Sequence, residues 1–229
     1  MTGTRPLPGT SGPPEPFSPE ELMLFRAAGR VRAWERGEVL IRQGGRADSV
    51  VLIIGGLTKI TAESANGYTS VLALRGPGEL LGEMSCLDGS KRSATVTAMD
   101  RVEGVVVGAE AFRRLLSENG ALSVSVLCSV VARLRHSDNS RAGYGAHPAK
   151  SRLARVLLDL AGRYGVALDT PAGAIAVNMN QQELAGATGI SRESVVRCLR
   201  AMQHEGVVST SRGRTVVLDI GKLREQTDE

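Results

Sequence analysis

The sequence predicts an α+β protein built from a β-roll (a double-stranded β-helix or jelly roll), one long helix and a winged helix-turn-helix. Short β-branched runs alternate with glycine turns over the first half, and the apolar period becomes helical after Gly108. Near the carboxyl end, a helix, a glycine turn and a second helix precede a two-stranded wing. We expect a disordered tail at residues 1–16, the β-roll at 17–108 and the long helix at 109–141. A hinge at 142–148 and the winged domain at 149–229 follow.

The chain is expected to become ordered at the segment FSPEEL. Ser18 can cap a helix, Pro19 suits its first position and Glu21 completes a capping box. Phe17 and Leu22 can form a hydrophobic staple across this helix start. The residues before this segment are rich in Pro, Gly and Thr and contain no apolar core, which predicts neither a signal peptide nor a membrane anchor. We therefore expect a cytoplasmic protein with a disordered N-terminal tail.

Composition and charge narrow the possible functions. The chain has 229 residues, of which 42% are hydrophobic and 23% charged, as in ordinary globular proteins with a substantial core. Aromatic residues make up only 3%, which argues against base stacking on an aromatic platform. A net charge of +4 and a pI of about 9.2 permit a polyanionic partner without demonstrating one. The three cysteines are isolated, which predicts a reduced chain without a disulfide or a zinc site.

The β-roll is marked by four runs rich in β-branched residues, which read VVLII, YTSVLAL, SATVTA and VEGVVV. Glycine turns separate them, including Gly55-Gly56, Asn66-Gly67 and Gly76-Pro77-Gly78. Many short strands at turn spacing predict a closed or sandwiched β structure.

The long helix carries two stripes at helical spacing. One follows 4-4-3-4 spacing and the other follows 3-4-3-4 spacing, which is that of a coiled-coil seam. The first stripe can pack on the β-roll of its own chain, which leaves the second for another copy. We infer a homodimer from this; a single wide buried face within a monomer is the alternative. The first stripe consists of Leu122, Val126, Val130, Arg133 and Ser137. The second consists of Val124, Leu127, Val131, Leu134 and Asp138.

The segment RAGYGAHP at 141–148 contains two glycines and a proline and predicts a break between the long helix and the winged domain. The next segment, SRLARVLLDLAGRYG, has the pattern of an amphipathic helix. Ser191 is a suitable N-cap for the second helix of the helix-turn-helix. The wing is expected around Arg212-Gly213-Arg214.

The stretch LLGEMSCLDGSKRSATV places an acid, Glu83, and a base, Arg92, nine residues apart among small residues. A surface ion pair would not need Gly82 or Ser93 beside it. Glycine lets the backbone approach a ligand closely, and the turn after it presents N–H groups that favour an anion. The planar fork of arginine fits two phosphate oxygens. The stretch therefore suits a small anionic ligand with hydroxyl groups.

Together these features resemble the cyclic-AMP receptor protein / fumarate-nitrate regulator (CRP/FNR) family of bacterial transcription factors. The resemblance covers roughly residues 17–222 and depends on the cassette GEMSCLDGSKRSATV and the helix SRESVVR. It implies a dimer with an N-terminal cyclic-nucleotide-binding β-roll, a dimerisation helix and a C-terminal DNA-binding domain. It also implies cyclic AMP as the allosteric ligand, without a metal, and double-stranded DNA and RNA polymerase as partners.

The resemblance assigns roles within the cassette. Arg92 and Ser93 match family residues that hold the phosphate, and Glu83 matches the acceptor of the ribose hydroxyl. We also expect Glu83 to pair with Arg92 when no ligand is bound; a cassette that keeps only an internal salt bridge is the alternative. The expected nucleotide-binding residues are Gly82, Glu83, Met84, Arg92, Ser93, Arg133, Ser137 and Asp138.

The base is expected to be read from the long helix. The family matches to Ser137 and Asp138 are a threonine and a serine that bind the adenine amino group, the serine from the opposite subunit. Asp138 departs from this pattern. A carboxylate can accept from an adenine amino group but opposes a guanine carbonyl. We hypothesise that the adenine amino group relieves repulsion between two Asp138 side chains; an exposed aspartate at a helix end is the alternative.

The recognition helix is expected to read bases. Arginine pairs with guanine and glutamate with cytosine in the major groove. Family residues matching Arg192, Glu193 and Arg197 read a TGTGA half-site, which predicts a palindrome close to TGTGA…TCACA; an ordinary surface ion pair between Glu193 and Arg197 is the alternative. The expected DNA-binding residues are Gln181, Ser191, Arg192, Glu193, Ser194, Arg197, Arg212 and Arg214.

Other functions are less well supported by the sequence. His136, Ser137 and Asp138 are triad residue types, but neighbours on a helix diverge by about 100° and cannot converge on one site. Neither a GxxxxGK[ST] nor an HExxH motif is present, so no catalysis is expected. The open alternatives are a ligand-independent regulator of the same family and one that responds to cyclic GMP, a cyclic dinucleotide or a redox signal.

Overall fold

The computed structural model describes residues 17–64, 67, 69–168, 173–211 and 213–227, and omits the side chains of 136 and 139–146. The predicted disordered tail at 1–16 lies outside the described residues. The described chain divides into two compact units, one that ends at Arg135 and one that begins at His136.

The first helix is α1, Pro19–Ala28, and it begins as predicted. The Ser18 backbone N–H donates to Glu21 Oε2 at 2.7 Å, and the Glu21 N–H donates to Ser18 Oγ at 3.2 Å. This capping box satisfies N–H groups that a helix start otherwise leaves without partners. Phe17 and Leu22 both contribute to one hydrophobic cluster, which fixes α1 on the β-roll.

The β-roll is confirmed as two four-stranded antiparallel sheets, ordered β1-β8-β3-β6 and β2-β7-β4-β5. Two hydrophobic clusters fill it, one containing Phe25 and Phe112 and the other containing Trp34, the only tryptophan of the chain. The strands are β1 Arg30–Trp34, β2 Val39–Ile41, β3 Ser49–Gly55, β4 Thr58–Glu63, β5 Thr69–Arg75, β6 Leu80–Leu81, β7 Thr95–Ala98 and β8 Val102–Gly108.

Between β6 and β7 lies a short helix, α2, at Glu83–Asp88. It begins directly after Gly82, which adopts a left-handed conformation with φ of 79°. The helix therefore starts inside the cassette that the sequence singled out as a ligand site.

The single helix predicted over 109–141 is wrong in its bounds, because the structure has two helices there. They are α3, Ala109–Glu118, and α4, Gly120–Ala146. Asn119 between them is extended, with φ of −131° and ψ of 92°, and its side-chain amide donates to Leu115 O at 2.9 Å. The Asn119 backbone N–H donates to the same carbonyl at 3.0 Å, so Asn119 closes the last turn of α3 with both groups.

Helix α4 also continues through most of the predicted hinge. Glycine within a helix costs only about 1 kcal/mol, so Gly143 and Gly145 do not end it. The helix ends before His147, because a residue that precedes a proline is biased away from helical geometry. Of the described helices, none alone has the length and apolarity to cross a membrane; α3 and α4 up to Arg135 meet the criterion only as a pair bent by 115°.

The second unit contains the predicted helix-turn-helix and wing. Helices α6 and α7 are joined through Gly189, which is left-handed with φ of 65°. The wing hairpin β11–β12 belongs to a four-stranded sheet ordered β11-β12-β10-β9. The elements are α5 Ala149–Tyr164, β9 Val166–Ala167, β10 Ile175–Val177, α6 Gln181–Thr188, α7 Arg192–His204, β11 Val208–Ser211, β12 Arg214–Val217 and α8 Ile220–Glu225.

Candidate functional sites

The first candidate site surrounds Gly82. A Cβ atom on this residue would lie 2.5 Å from Arg92 Nη1 and 3.0 Å from Ile41 Cδ1. Since φ is also positive, glycine is the residue that fits here. The sequence predicted a close backbone approach to a ligand, whereas the structure shows a close approach of the backbone to Arg92.

Arg92 is 5% exposed, and its guanidinium group contacts the surrounding loops. Nη1 donates to Gly82 O at 2.7 Å, and Nε donates to Arg46 O at 3.2 Å. Nη2 donates to Ser49 O. Backbone carbonyls thus solvate the buried cation, which would otherwise be costly to remove from water.

Two further contacts of the same guanidinium group are longer. Nη2 lies 3.4 Å from Asp48 Oδ1, and Nη1 lies 3.8 Å from Cys86 Sγ. Asp48 has 80% of its side chain exposed, so its pairing with Arg92 is weak. These are the contacts that an incoming anion could replace most easily.

The expected pairing of Glu83 with Arg92 is wrong. Glu83, which is 3% exposed, pairs with Arg133 of α4. Arg133 also donates from Nη1 to Leu80 O at 3.0 Å. The arginine therefore joins the start of α2 to α4, a connection that sequence spacing could not reveal because the two residues lie 50 positions apart.

The other predicted nucleotide residues are placed as follows. Met84 is 54% exposed on α2, and Ser93 is exposed before β7. Ser137 is partly buried and Asp138 is exposed, both on α4 within the second unit. The structure brings together Gly82, Arg92, Glu83 and Arg133. The participation of all eight residues in nucleotide binding stays a prediction.

From the sequence, Cys86 could be either a reactive thiol within the cassette or a small buried filler, and Arg113 was not identified. The Cys86 thiol donates to Ser49 O at 3.3 Å, and Arg113 Nη1 donates to Cys86 O at 2.9 Å, close to the end of α2. Burial raises the pKa of the Cys86 thiol, Arg92 opposes this, and the Asp48 carboxylate adds a smaller increase. The thiol is therefore held in its neutral form, which suits a packing role.

Helix α4 has one face on the β-roll and one face free of it. Leu122 and Val126 are buried, whereas Val124, Leu127 and Leu134 are 59%, 61% and 59% exposed. This division follows the two predicted stripes. The exposed apolar side chains are those of the predicted coiled-coil seam.

The second candidate site is the start of α7. Ser191 caps the helix as predicted, since Ser194 N–H donates to its Oγ at 3.2 Å. Arg192, Glu193 and Arg197 are exposed. Within the described chain, Glu193 and Arg197 form no ion pair with each other; Arg197 Nη2 instead donates to Ser194 Oγ at 3.3 Å.

The pKa of Glu193 is lowered, first by its own backbone N–H, then by the Ser191 hydroxyl, with a further contribution from Arg192. The side chain is therefore a carboxylate at neutral pH and can accept hydrogen bonds. Glu193 therefore places a hydrogen-bond acceptor at the start of α7, where Arg192 and Arg197 place hydrogen-bond donors.

Gln181 at the first position of α6, Arg192 of α7 and Arg214 of the wing line one cleft of about 440 Å³. Arg214 Nε is buried and has no hydrogen-bond partner among the described atoms. Three DNA-binding residues predicted from different elements are therefore neighbours. Arg212, also predicted, lies outside the described residues. Val196 and Arg200, which sequence reasoning did not select, line a second concavity with Arg192, Glu193 and Arg197.

Comparison with known proteins identifies a known family domain in each half of the chain. Residues 31–119 match the family described as cyclic nucleotide-binding domain, and residues 151–226 match the Crp-like helix-turn-helix domain. The cyclic AMP receptor protein of Thermus thermophilus is 31% identical over 209 residues, 91% of this chain and 93% of that protein. A CRP-like cAMP-activated global transcriptional regulator of Mycobacterium tuberculosis is 28% identical over 82% of this chain and 84% of its own length.

Among solved structures, the c-di-GMP responsive global regulator CLP of Xanthomonas campestris aligns with a TM-score of 0.75 and 25% identity. The alignment covers 88% of this chain and 99% of that structure. These relatives share the order of the two domains, and their names differ in the nucleotide to which they respond.

Loss of the Arg133 side chain should destabilise the β-roll. Arg133→Leu leaves the buried Glu83 carboxylate without its partner, and we expect the unfolding free energy to fall by roughly 3 kcal/mol. Denaturant titration followed by fluorescence of Trp34, which is buried in this unit, measures the change.

The matched control is Arg135→Leu, which removes an exposed arginine from the same helix and should change stability by less than about 0.5 kcal/mol. Adding Glu83→Gln to Arg133→Leu should recover part of the loss. Equal effects of the two arginine variants would show that the pair with Glu83 contributes nothing.

Proposed function

The chain belongs to the CRP/FNR family of transcription regulators. On that premise we propose that it acts as a homodimer that binds cyclic AMP. The dimer then binds a palindrome close to TGTGA…TCACA. Family membership makes it a DNA-binding transcription regulator with a cyclic-nucleotide-binding domain. The observation that carries the finer proposal is that one chain holds both a buried Arg92 beside Gly82 and an exposed Arg192–Glu193–Arg197 surface. Because DNA is the target, we place its action in the cytoplasm.

The loop that contains Gly82, Glu83 and Arg92, called the cradle below, suits a ribose-phosphate ring. Arg92 is a permanent cation whose only described carboxylate partner, Asp48, is largely exposed and 3.4 Å away. A ligand phosphate can take the place of Asp48 while the carbonyl contacts keep the guanidinium group in position. Glu83 is acceptor-only when ionised, so it suits ribose hydroxyls, and it has lone pairs beyond those used by Arg133.

Choice of the base is proposed to depend on α4. Ser137 follows Arg133 by one turn, and Asp138 lies next to it on the seam stripe. A carboxylate at 138 accepts from the adenine amino group but repels a guanine carbonyl. This chemistry supports cyclic AMP over cyclic GMP. In the proposed dimer, Asp138 comes from the partner subunit, so ligand binding and dimer geometry are coupled.

Dimerisation is proposed to use the exposed stripe of α4. Val124, Leu127 and Leu134 expose large apolar surfaces at heptad spacing, and burial of such side chains supplies about 25 cal/mol per Å². A second copy of α4 would cover them. A two-fold axis along this helix would also give two recognition helices, as a palindrome requires.

We propose a two-state switch. The ligand contacts both the cradle and α4 and shifts the dimer interface, and the two recognition helices then match successive major grooves. The ligand must bind the DNA-competent state more tightly for this shift to occur.

A second candidate is a family member that binds DNA without cyclic AMP, or with another nucleotide. Arg92 has internal acceptors around its guanidinium group, so the protein itself supplies contacts that can hold this side chain in position. A related structure is described as c-di-GMP responsive. Tight operator binding by nucleotide-free protein would favour this candidate.

Cyclic AMP should bind nucleotide-stripped protein in a calorimetric titration, and Arg92→Ala should abolish this binding because the phosphate loses its fork. Arg46→Ala is the matched control, since it removes an exposed arginine but leaves the carbonyl that holds Arg92. Binding should persist in this control.

Cyclic GMP should bind more weakly than cyclic AMP in the same titration, and Asp138→Asn should reduce both affinity for cyclic AMP and cooperativity. No binding of cyclic AMP by the intact protein would contradict the ligand proposal and leave the DNA proposal standing. Unchanged affinity and cooperativity in Asp138→Asn would contradict the role of that residue alone.

Leu127→Glu should yield a monomer in analytical ultracentrifugation, because it places a charge in the proposed seam. The control is Leu72→Glu on β5, which alters a similarly exposed leucine, 58% against 61%, away from α4. This control should remain dimeric. A dimeric Leu127→Glu protein would contradict the seam.

Arg197→Ala should weaken binding to the TGTGA palindrome by about 5- to 150-fold and relax selection at one guanine. Arg214→Ala should weaken binding to all sequences alike and reduce the slope of log K against log salt by about 0.9. Footprinting and titration at several salt concentrations measure these effects. A footprint on an unrelated sequence would contradict the proposed half-site.

A further inference from the structure

One apolar side chain lies within the charged surface of α7. The concavity on this helix, about 500 Å³, is lined by five residues, and four of them are charged. The fifth is Val196, which is partly exposed. The five are Arg192, Glu193, Val196, Arg197 and Arg200.

The helix does not need Val196 to close its core. The buried face of α7 is formed by four residues that are each at most 6% exposed, namely Val195, Cys198, Leu199 and Met202. Val196 is turned about 100° from Val195 and lies one helical turn from both Arg192 and Arg200. A β-branched residue is also a weaker helix former than alanine, so helix formation does not explain it.

We propose that Val196 selects thymine at one position of the half-site by contacting its C5-methyl group. This inference depends on the proposed DNA-binding function of α7. In the major groove the thymine methyl is the apolar feature of the base edges, and the other features are hydrogen-bond donors and acceptors. Arginines on either side of Val196 have donors for guanine, and Glu193 has an acceptor for cytosine. The valine therefore adds a third kind of contact, an apolar one, to the same helix face.

The test removes only the methyl group. The full-length protein first selects its preferred palindrome from a randomised library, with cyclic AMP, cyclic GMP and cyclic di-GMP present. Each thymine of the selected half-site is then replaced in turn by deoxyuridine, and affinities are measured at one salt concentration. We expect one replacement to weaken wild-type binding by about fourfold per half-site, the contribution of one buried methyl group.

Val196→Ala should bind the parent palindrome more weakly and should no longer distinguish thymine from deoxyuridine at that position. Val166→Ala is the matched control, because it shortens a 50% exposed valine on β9 of the same unit. It should keep the wild-type sensitivity to the methyl group. Retention of this sensitivity in Val196→Ala, or its absence in the wild type, overturns the inference.

Two other outcomes separate the inference from the function on which it depends. Failure to select any sequence contradicts sequence-specific DNA binding and overturns both. Selection of a half-site without thymine overturns the methyl contact and leaves the DNA-binding function intact.

Discussion

The buried guanidinium group of Arg92 is the constraint on which the first site depends. Arginine stays protonated in proteins, so the fold must supply acceptors for it. The acceptors are the backbone carbonyl groups of Gly82, Arg46 and Ser49. The residue before α2 and residues before and at the start of β3 therefore contact the same side chain. The same packing requires glycine at 82. Carbonyl dipoles solvate the cation without cancelling its charge, so the site remains attractive to an anion.

Helix α4 connects this site to the rest of the molecule. Leu122 and Val126 hold its inner face on the β-roll, and Ser125 Oγ donates to Glu21 Oε1 at 2.7 Å. Arg133 adds the ion pair with Glu83 at the other end of the contact. With the inner face held in this way, Val124, Leu127 and Leu134 remain exposed on the opposite side, and Val131 between the two leucines is partly buried. The inner face of α4 therefore contacts the first site, and its outer face carries the side chains of the proposed dimer surface.

The sequence was most informative where the determinants are local. The Ser18–Glu21 capping box, the glycine turns of the β-roll and the Ser191 cap each depend on residues close in the chain, and the structure contains them. Pairings between distant residues were missed, as with Glu83 and Arg133, because spacing along the chain does not determine which charges meet. The break at Asn119 was missed although Asn119 and Gly120 form the same turn pair as Asn66-Gly67, because the apolar residues on both sides suggested one helix. Strands β9 and β10 have two and three residues and are too short to show a period.

The energetics of the proposed switch favour α4 over the cradle as its origin. Shifting a two-state equilibrium from 1:99 to 99:1 requires about 5.5 kcal/mol of differential binding. Replacing Asp48 by a phosphate exchanges one exposed ion pair, and such pairs contribute about 0–1 kcal/mol. The carboxylate of Glu83 can accept ribose hydroxyls while it keeps Arg133, so this contact need not differ between the two states. We therefore propose that most of the differential free energy comes from contacts that form only when α4 and its partner enclose the base, with Asp138 as the residue that couples binding to switching.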